Sequence, residues 1–591
     1  MTALKTLILN LAVAGLALAA EKPNIVFVIT DDQGYGDLAC HGNPVIKTPN
    51  IDKLYSESTV LTDYHVAPTC SPTRAALLTG HWTNRTGVWH TIMGRSMLRE
   101  NEVTLGQHFA KDYTTGMFGK WHLGDNYPYR PEDRGFEEVY RHGGGGVGQT
   151  PDLWDNSYFD GSYFHNGKIV PAKGFCTDVF FNAAHDFIKK SAAAQEPFLA
   201  YISTNAPHGP LHCPQKYLDM YQDQTDGIAA FFGMITNIDD NIGATRKLIA
   251  DLGIADNTLF IFTTDNGTAS GAGVFNAGMK GNKGSPYDGG HRVPFFIHWP
   301  AAGLNKHVEY NELCHAVDIV PTLLDACKVE NTAEVKFDGW PLLRIFNPKI
   351  KHDQVDRFLV TDSQRVVDPI KWRQSAVMSQ QYRLINGKEL YDIKADPGQK
   401  KDIAKTNPDQ IAKMRDFYDK WWADISPTFS QTTEIYLGHP DHPVVAMTGH
   451  DWIGEIFPAW HQGSIRNLEA SAKKVDGLSH WAVKVITPGT YEIAARRWPT
   501  EANHAINAAL PAGADVPGAS KAFRTTPGKA LGTQKAILRI DGKDLESKPV
   551  TPDDTVIIFT VELSEGSHEL SPYFELENSF LGAYYCTATK K

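Results

Sequence analysis

NIVFVITDDQGYGD, residues 24–37, begins as an almost unbroken apolar and β-branched run and ends on three carboxylates and two glycines. A run of this kind, with no polar alternation, suits a strand buried on both faces. Two other stretches have the same design. PFLAYIST (197–204) stops at Asn205-Ala206-Pro207-His208, and TLFIFTT (258–264) stops at Asp265-Asn266. Between and around them, EVTLGQHFAK (102–111), DVFFNAAHDFIKKSAAA (178–194) and FFGMITNIDDNIGATRKLIADLG (231–253) carry helical spacing. Strands alternating with helices predict an α/β fold, with a parallel or mixed central sheet flanked by helices. Ligands of such sheets bind beyond the carboxyl ends of the strands, where all three polar clusters fall.

The remaining composition sets the frame for that sheet. A chain of 591 residues exceeds ordinary domain size, so two folded units are expected. Its formal charge of -11, from 57 basic and 68 acidic residues, argues against a nucleic-acid binder that relies on a general positive field. The first residues, MTALKTLILNLAVAGLALAAEK, place Lys5 before an apolar run and small residues, the pattern of a secretory signal peptide over 1–20. Export to a periplasmic or extracellular location is therefore expected. The apolar run is too short for a spanning helix, and no later stretch qualifies, so no transmembrane span is expected. Seven scattered cysteines form no dense disulfide framework. After about Trp422 the texture changes. HWAVKVITPGTYEIAARRW (480–498), KAILRIDGK (535–543) and DTVIIFTVELSEGSHEL (554–570) alternate apolar and polar residues around Gly and Pro turns. That pattern predicts an antiparallel β-sandwich over 426–591, with Trp481, Val483 and Val485 on one face and Tyr491 and Ile493 sharing another. The preceding unit spans 21–425.

The chemistry sits in the first unit. Alone, Asp31-Asp32 or Asp265-Asn266-Gly267 closes a turn or caps a helix. Together at strand ends they offer a hard-oxygen site, which favours Ca²⁺ or Mg²⁺ over zinc. Cys70 has a pointed context in APTCSPTRAALLTGHW (67–82), with Pro72 and Arg74 close behind it.

CSPTRAALLTG (70–80) resembles the signature of the sulfatase family, within the alkaline-phosphatase-like superfamily. The resemblance extends in order through DDQGYGD (31–37), GKWHLG (119–124), NAPHGP (205–210), TTDNG (263–267), GNKGSPYDGGHRVP (281–294) and LYDIKADPGQKKDIA (390–404). It covers about residues 22 to 425. It implies a sulfuric ester hydrolase of the arylsulfatase or polysaccharide sulfatase type. It also implies that Cys70 is oxidised to formylglycine (3-oxoalanine) by a formylglycine-generating or anaerobic sulfatase-maturating enzyme, which reads Pro72 and Arg74. The hydrated aldehyde attacks sulfur, and its second hydroxyl later expels sulfate. By the same resemblance, Asp31, Asp32, Asp265 and Asn266, with the modified Cys70, ligate calcium. Arg74 steadies the nucleophile. Lys120, His208 and Lys283 face the sulfate oxygens, His208 and Lys283 protonate the leaving group, and His122 acts as the base that releases sulfate. The chain departs from the pattern at Asp288, where the family commonly has glutamate. Asn266-Gly267-Thr268 also matches a glycosylation acceptor, but a metal-ligating Asn266 would be buried and unmodified.

WHTIMGRSMLRE (89–100), YRHGGGGVGQTPDLWDNSYFDGSYF (140–164) and ISPTFSQTTEIYLGHPDHP (425–443) combine aromatic, glycine and charged residues that suit a sulfated sugar or polysaccharide. Two other functions are weighed: a phosphonate monoester or phosphodiester hydrolase of the same superfamily, and a non-catalytic glycan-binding protein on a sulfatase scaffold. The lysine-containing GNKGSPYDGG and the intact Cys70 and carboxylates favour sulfate ester hydrolysis.

Overall fold

The computed structural model describes residues 22–346 and 357–591. The leader expected over 1–20 lies outside the described residues.

A ten-stranded mixed sheet organises the first part of the chain. Its centre is formed by the three apolar runs. Asn24–Thr30 lies between Phe198–Ser203 and Thr258–Thr264, parallel to both, and Thr114–Gly119 continues parallel on the far side of Phe198–Ser203. Both faces are covered, as the continuous apolar runs require. Ile25, Phe27 and Ile29 enter one core while Val26 and Val28 enter the opposite one. The second of these cores is closed by the helices Cys176–Ala194 and Asp226–Asp251, through positions such as Phe180, Ala184, Phe187 and Ile188 and then Met234, Ile238 and Ile242. The first takes the helices Cys70–Thr79, Ile319–Cys327 and Pro408–Ile425. The sheet is mixed because Phe295–His298 runs antiparallel to Thr258–Thr264, and Glu138–Arg141, Ser162–His165 and Lys168–Pro171 form an antiparallel edge.

Register places the chemistry. Thr30 pairs with Thr264, Ile29 with Ser203, and Ser203 with Gly119. The next residues along three of these strands are Asp31, Asp265 and Lys120, so they emerge side by side at one sheet edge.

A four-stranded antiparallel sheet, Leu359–Asp362, Ser375–Met378, Tyr382–Ile385 and Glu389–Asp392, packs on the first core. The sequence reading missed these strands, which are only four residues long and too short for a periodic signal. The C-terminal part packs an eight-stranded sheet against a four-stranded one around a separate core. Trp481, Val483 and Val485 face inward from one sheet and Tyr491 and Ile493 from the other. Pairing there is antiparallel except that Ile435–Leu437 runs parallel to Trp481–Val485. All seven cysteines are free thiols. Among the described residues no helix is long and apolar enough to cross a membrane.

Acid is expected to weaken this fold. Burial pushes the pKa values of His41, His90, His108, His142, His185, His208, His212 and His291 down to about 3 or about 4. These eight bind fewer protons folded than unfolded as pH falls below about 6. Five carboxyls, Asp37, Asp152, Asp239, Asp265 and Asp362, are raised by burial to about 6 or about 7 and act in the opposite sense. With His122 and His315 lowered further still, the histidines outnumber the raised carboxyls, so stability should fall as the pH drops from about 6 to about 4. Thermal unfolding followed across that range checks this, and a Tm that holds or rises on acidification would contradict it.

Candidate active site

Cys70 is the first residue of a ten-residue helix, Cys70–Thr79, every residue of which is buried. Thr69 before it is extended, so the chain turns into the helix at the thiol. Cys70 therefore sits at the positive end of the helix dipole. One turn on, Arg74 shares its helix face. The Arg74 guanidinium donates to Asp265 Oδ2 from Nε at 3.2 Å and from Nη2 at 2.8 Å, to the Lys120 carbonyl at 3.3 Å, and to Ser203 Oγ. It thus ties three strand ends to the helix.

The carboxylates form a compact group. Asp265 Oδ1 accepts from the Asp32 backbone N–H at 3.0 Å. Asp32 has φ 68°, a left-handed conformation that L-residues avoid unless the surroundings impose it. Lys120 Nζ lies 2.5 Å from Asp31 Oδ2, with both side chains fully buried, and Lys283 Nζ lies 2.5 Å from Asp32 Oδ1. Asn266 Nδ2 donates to Asp32 Oδ1 at 2.9 Å. Two buried oxygens, Asp31 Oδ1 and Asn266 Oδ1, have no hydrogen-bond partner. Ligand atoms of Asp31, Cys70 and Asp265 lie within 4.8 Å of one another. Orphaned acceptors beside a knot of carboxylates fit a hard divalent cation, and the donor set is almost entirely oxygen. The sequence-predicted residues Asp31, Asp32, Cys70, Arg74, Lys120, Asp265, Asn266 and Lys283 are thus joined by direct contacts or close approach. Asn266 is fully buried, which removes it as a glycosylation acceptor.

Two histidines complete the group. His122 has φ 61° and follows Gly119, where a Cβ would meet the Ser203 carbonyl oxygen at 2.0 Å, so GKWHLG needs glycine at its first position. The His122 imidazole is held from behind by Gly145, where a Cβ would lie 2.4 Å from His122 Cε1. Its Nε2 bonds the Thr91 carbonyl at 2.8 Å, which makes Nε2–H the donor and leaves the lone pair on Nδ1, buried and without a partner. Burial, then Lys120, drives its pKa well below the usual value. His208 Nδ1 donates to the Gly209 carbonyl at 2.6 Å and its Nε2 lies 3.8 Å from Asp32 Oδ2. Burial and Lys283 lower its pKa to about 4, so the ring rests neutral. Lys283 differs: burial works to strip its proton, but the Asp32 and Asp31 carboxylates outweigh it and keep the ammonium charged. Burial raises the Cys70 pKa, so the thiol is not a thiolate at neutral pH. Burial and Asp31 also raise the Asp265 pKa.

A cavity of about 370 Å³ opens over the group, with Cys70, His122, His208 and Lys283 in its lining. His90, Thr91 and Ile92 come from the predicted 89–100 loop and Gln149 from the glycine-rich loop. Residues 425–443, expected to face substrate, do not line it. That segment lies behind the 89–100 loop, where Arg99 donates to the Thr428 and Gln431 carbonyls and Arg95 to Thr432 Oγ1. The remaining wall comes from Arg365, Phe457 and Trp460, none of which the sequence reading singled out. Asp288 is buried and accepts from Arg383 Nε at 3.2 Å, so the shorter carboxylate keeps an ionic partner.

A central mixed sheet with a carboxylate cluster at its strand ends and a buried cysteine at a helix N-terminus fits the alkaline-phosphatase-like superfamily. The sulfatase family model matches residues 23–329, and the chain belongs to the sulfatase family. It is a sulfuric ester hydrolase. It is 31% identical over 372 residues to N-acetylgalactosamine-6-sulfatase of Sus scrofa, covering 57% of this chain and 69% of that protein. It is 32% identical over 374 residues to arylsulfatase A of Homo sapiens, covering 58% and 71%. The solved structure of Ps i-CgsB matches at a TM-score of 0.61 and 28% identity over 68% of this chain and 93% of that one. A second, Ps i-CgsB in complex with k-i-k-neocarrahexaose, gives 0.62 and 27% over 70% and 95%.

Proposed function

We propose that this sulfatase removes sulfate from a sulfated carbohydrate, using a nucleophile matured from Cys70 and a calcium ion held by Asp31, Asp32, Asp265 and Asn266. The observation that carries the reading is the convergence of Asp31, Cys70 and Asp265 within 4.8 Å beneath a cavity whose lining contains cations and histidines but no carboxylate. In a protein of net charge -11, such a pocket is a local reversal of sign suited to an anionic ester. Relatives named for N-acetylgalactosamine 6-sulfate and a neighbour bound to a neocarrahexaose support a sugar as the carrier.

The formylglycine would supply a hydroxyl nucleophile that regenerates itself, which a thiol cannot do. The calcium would supply positive charge against the sulfate oxygens. The chain's own residues do the rest. Arg74 fixes Asp265 against the nucleophile position. Lys120 and Lys283 are poised to place positive charge beside the transferring group. Lys283, charged at rest, is the ready proton donor to the leaving oxygen. His208 rests neutral and takes that part only when an arriving anion favours its protonation. His122, neutral with its lone pair on Nδ1, is the base for the release step. The residues over 21–425 form the catalytic unit and 426–591 an accessory one. Export, and maturation by a formylglycine-generating or anaerobic sulfatase-maturating enzyme, belong to the same reading.

The metal assignment has a direct test. Treatment with a chelator is expected to abolish sulfate release and lower the Tm, and calcium to restore both. At a hundredfold excess over Kd the ion should add about 2.7 kcal/mol of stability. Restoration by zinc and not by calcium would refute the oxygen-ligand site.

A further inference from the structure

We propose that Phe457 and Trp460, carried by the C-terminal part of the chain, form an aromatic platform for the sugar ring of the substrate, and that Arg365, in the lining of the same cavity, engages a second anionic group on that glycan. This rests on the sulfatase reading above and adds the recognition of the carrier.

Three observations carry it. First, Phe457 is 59% exposed and yet lines the same cavity as Cys70, His122, His208 and Lys283. An exposed phenyl ring at the mouth of a charged pocket offers a flat apolar face to the C–H side of a pyranose. Second, Trp460 is pre-positioned. Its carbonyl accepts from Thr150 N–H at 3.0 Å, the neighbouring Ala459 carbonyl from Thr150 Oγ1, and Gln462 N–H donates to the Gly148 carbonyl at 3.2 Å. These bonds join residues 459–462 to the glycine-rich loop that carries Gln149 into the cavity. The indole itself rests edge-on against His461, centroids 4.4 Å apart, and His461 stacks on Phe523 at 4.4 Å. A ring held this way loses little freedom when a ligand stacks on it. Third, Arg365 is exposed and makes no ion pair among the described residues, although it lines a cavity with no carboxylate of its own. Lys283 is already engaged by Asp32, so Arg365 is the cation left to meet charge beyond the ester being cleaved. A sugar with a second sulfate or a carboxylate provides it.

The test uses the full chain, matured in a host with the maturing enzyme, and measures sulfate release from 4-nitrophenyl sulfate and from oligosaccharides of chondroitin sulfate, carrageenan, fucoidan and heparin. The glycan turned over fastest is kept. Phe457→Ala and Trp460→Ala should each raise its KM on the order of tenfold, with kcat and the inhibition constant for inorganic sulfate moving far less. Trp460→Phe should recover most of the loss, which a merely structural defect would not explain. Arg365→Gln should raise the same KM and flatten its dependence on salt. Unchanged glycan KM in these variants, kcat and sulfate inhibition falling in step with it, or turnover of 4-nitrophenyl sulfate with no glycan of the panel accepted, would overturn the platform. A wild-type enzyme that releases sulfate from none of the substrates would instead overturn the reading on which it rests.

Discussion

Cys70→Ala is expected to release sulfate at a rate lower by on the order of 10⁴-fold or more, the scale on which loss of a nucleophile acts in enzymes where the remaining site survives. The wild-type chain made without a maturing enzyme should behave in the same way. The geometry explains why. Burial raises the pKa of the Cys70 thiol, so the unmodified side chain lacks even the thiolate that a cysteine nucleophile needs. Its place at the start of a fully buried helix, with Arg74 locked to Asp265 one turn away, allots it a reacting position and no evident packing role. The alanine variant should therefore fold, with a Tm close to that of the wild type, and should still respond to calcium. Sulfate release, together with the mass of the tryptic peptide containing residue 70, checks the prediction. Near wild-type turnover by Cys70→Ala would remove Cys70 from the mechanism.

Lys283→Ala should lower kcat on the order of 10²-fold, the effect of removing one preorganised charge from a developing transition state. Lys283 is held charged by Asp32, lines the cavity, and stands beside a neutral His208, so its ammonium is the charge and proton source nearest at hand. The loss should depend on the leaving group. A nitrophenolate departs with little help, whereas a sugar alkoxide needs the proton, so the deficit should be small for 4-nitrophenyl sulfate and largest for a sulfated glycan. Kinetics on both decide the matter. Equal losses would mean that Lys283 only binds sulfate and that protonation of the leaving oxygen falls elsewhere.

Much of the fold was legible because its evidence is local. The runs at 24–30, 198–203 and 258–264 are continuous and apolar, a pattern that a strand covered on both faces produces by itself. Once they are neighbours in one sheet, Asp31 and Asp265 must emerge together, and Gly119 paired to Ser203 brings Lys120 beside them. In the C-terminal part, alternation fixed the inward faces of Trp481, Val483 and Val485, but no periodicity reveals that Ile435–Leu437 pairs parallel to that strand. The pocket wall was illegible for a similar reason. Arg365, Phe457 and Trp460 carry no spacing signal, and only tertiary packing brings them into one cavity with His90 and Gln149. Residues 425–443 had the more suggestive composition, yet their carbonyls serve to hold Arg99 from behind.

The joint between the glycine-rich loop and the C-terminal part also sets a timetable for synthesis. Gly449 N–H bonds the Tyr584 carbonyl at 2.7 Å, and Val444–Thr448 pairs with Tyr585–Lys590, which secures the stretch leading to Phe457 and Trp460. The Tyr585 hydroxyl reaches the Thr150 carbonyl at 3.4 Å across 435 residues of sequence. On the ribosome the sheet, the helix bearing Cys70 and the carboxylate cluster all emerge long before the strand that fastens the far wall of the pocket. A nascent chain, or one clipped after the catalytic part, lacks Phe457, Trp460 and the strand that secures them, so recognition through the proposed platform would depend on the last residues to be made.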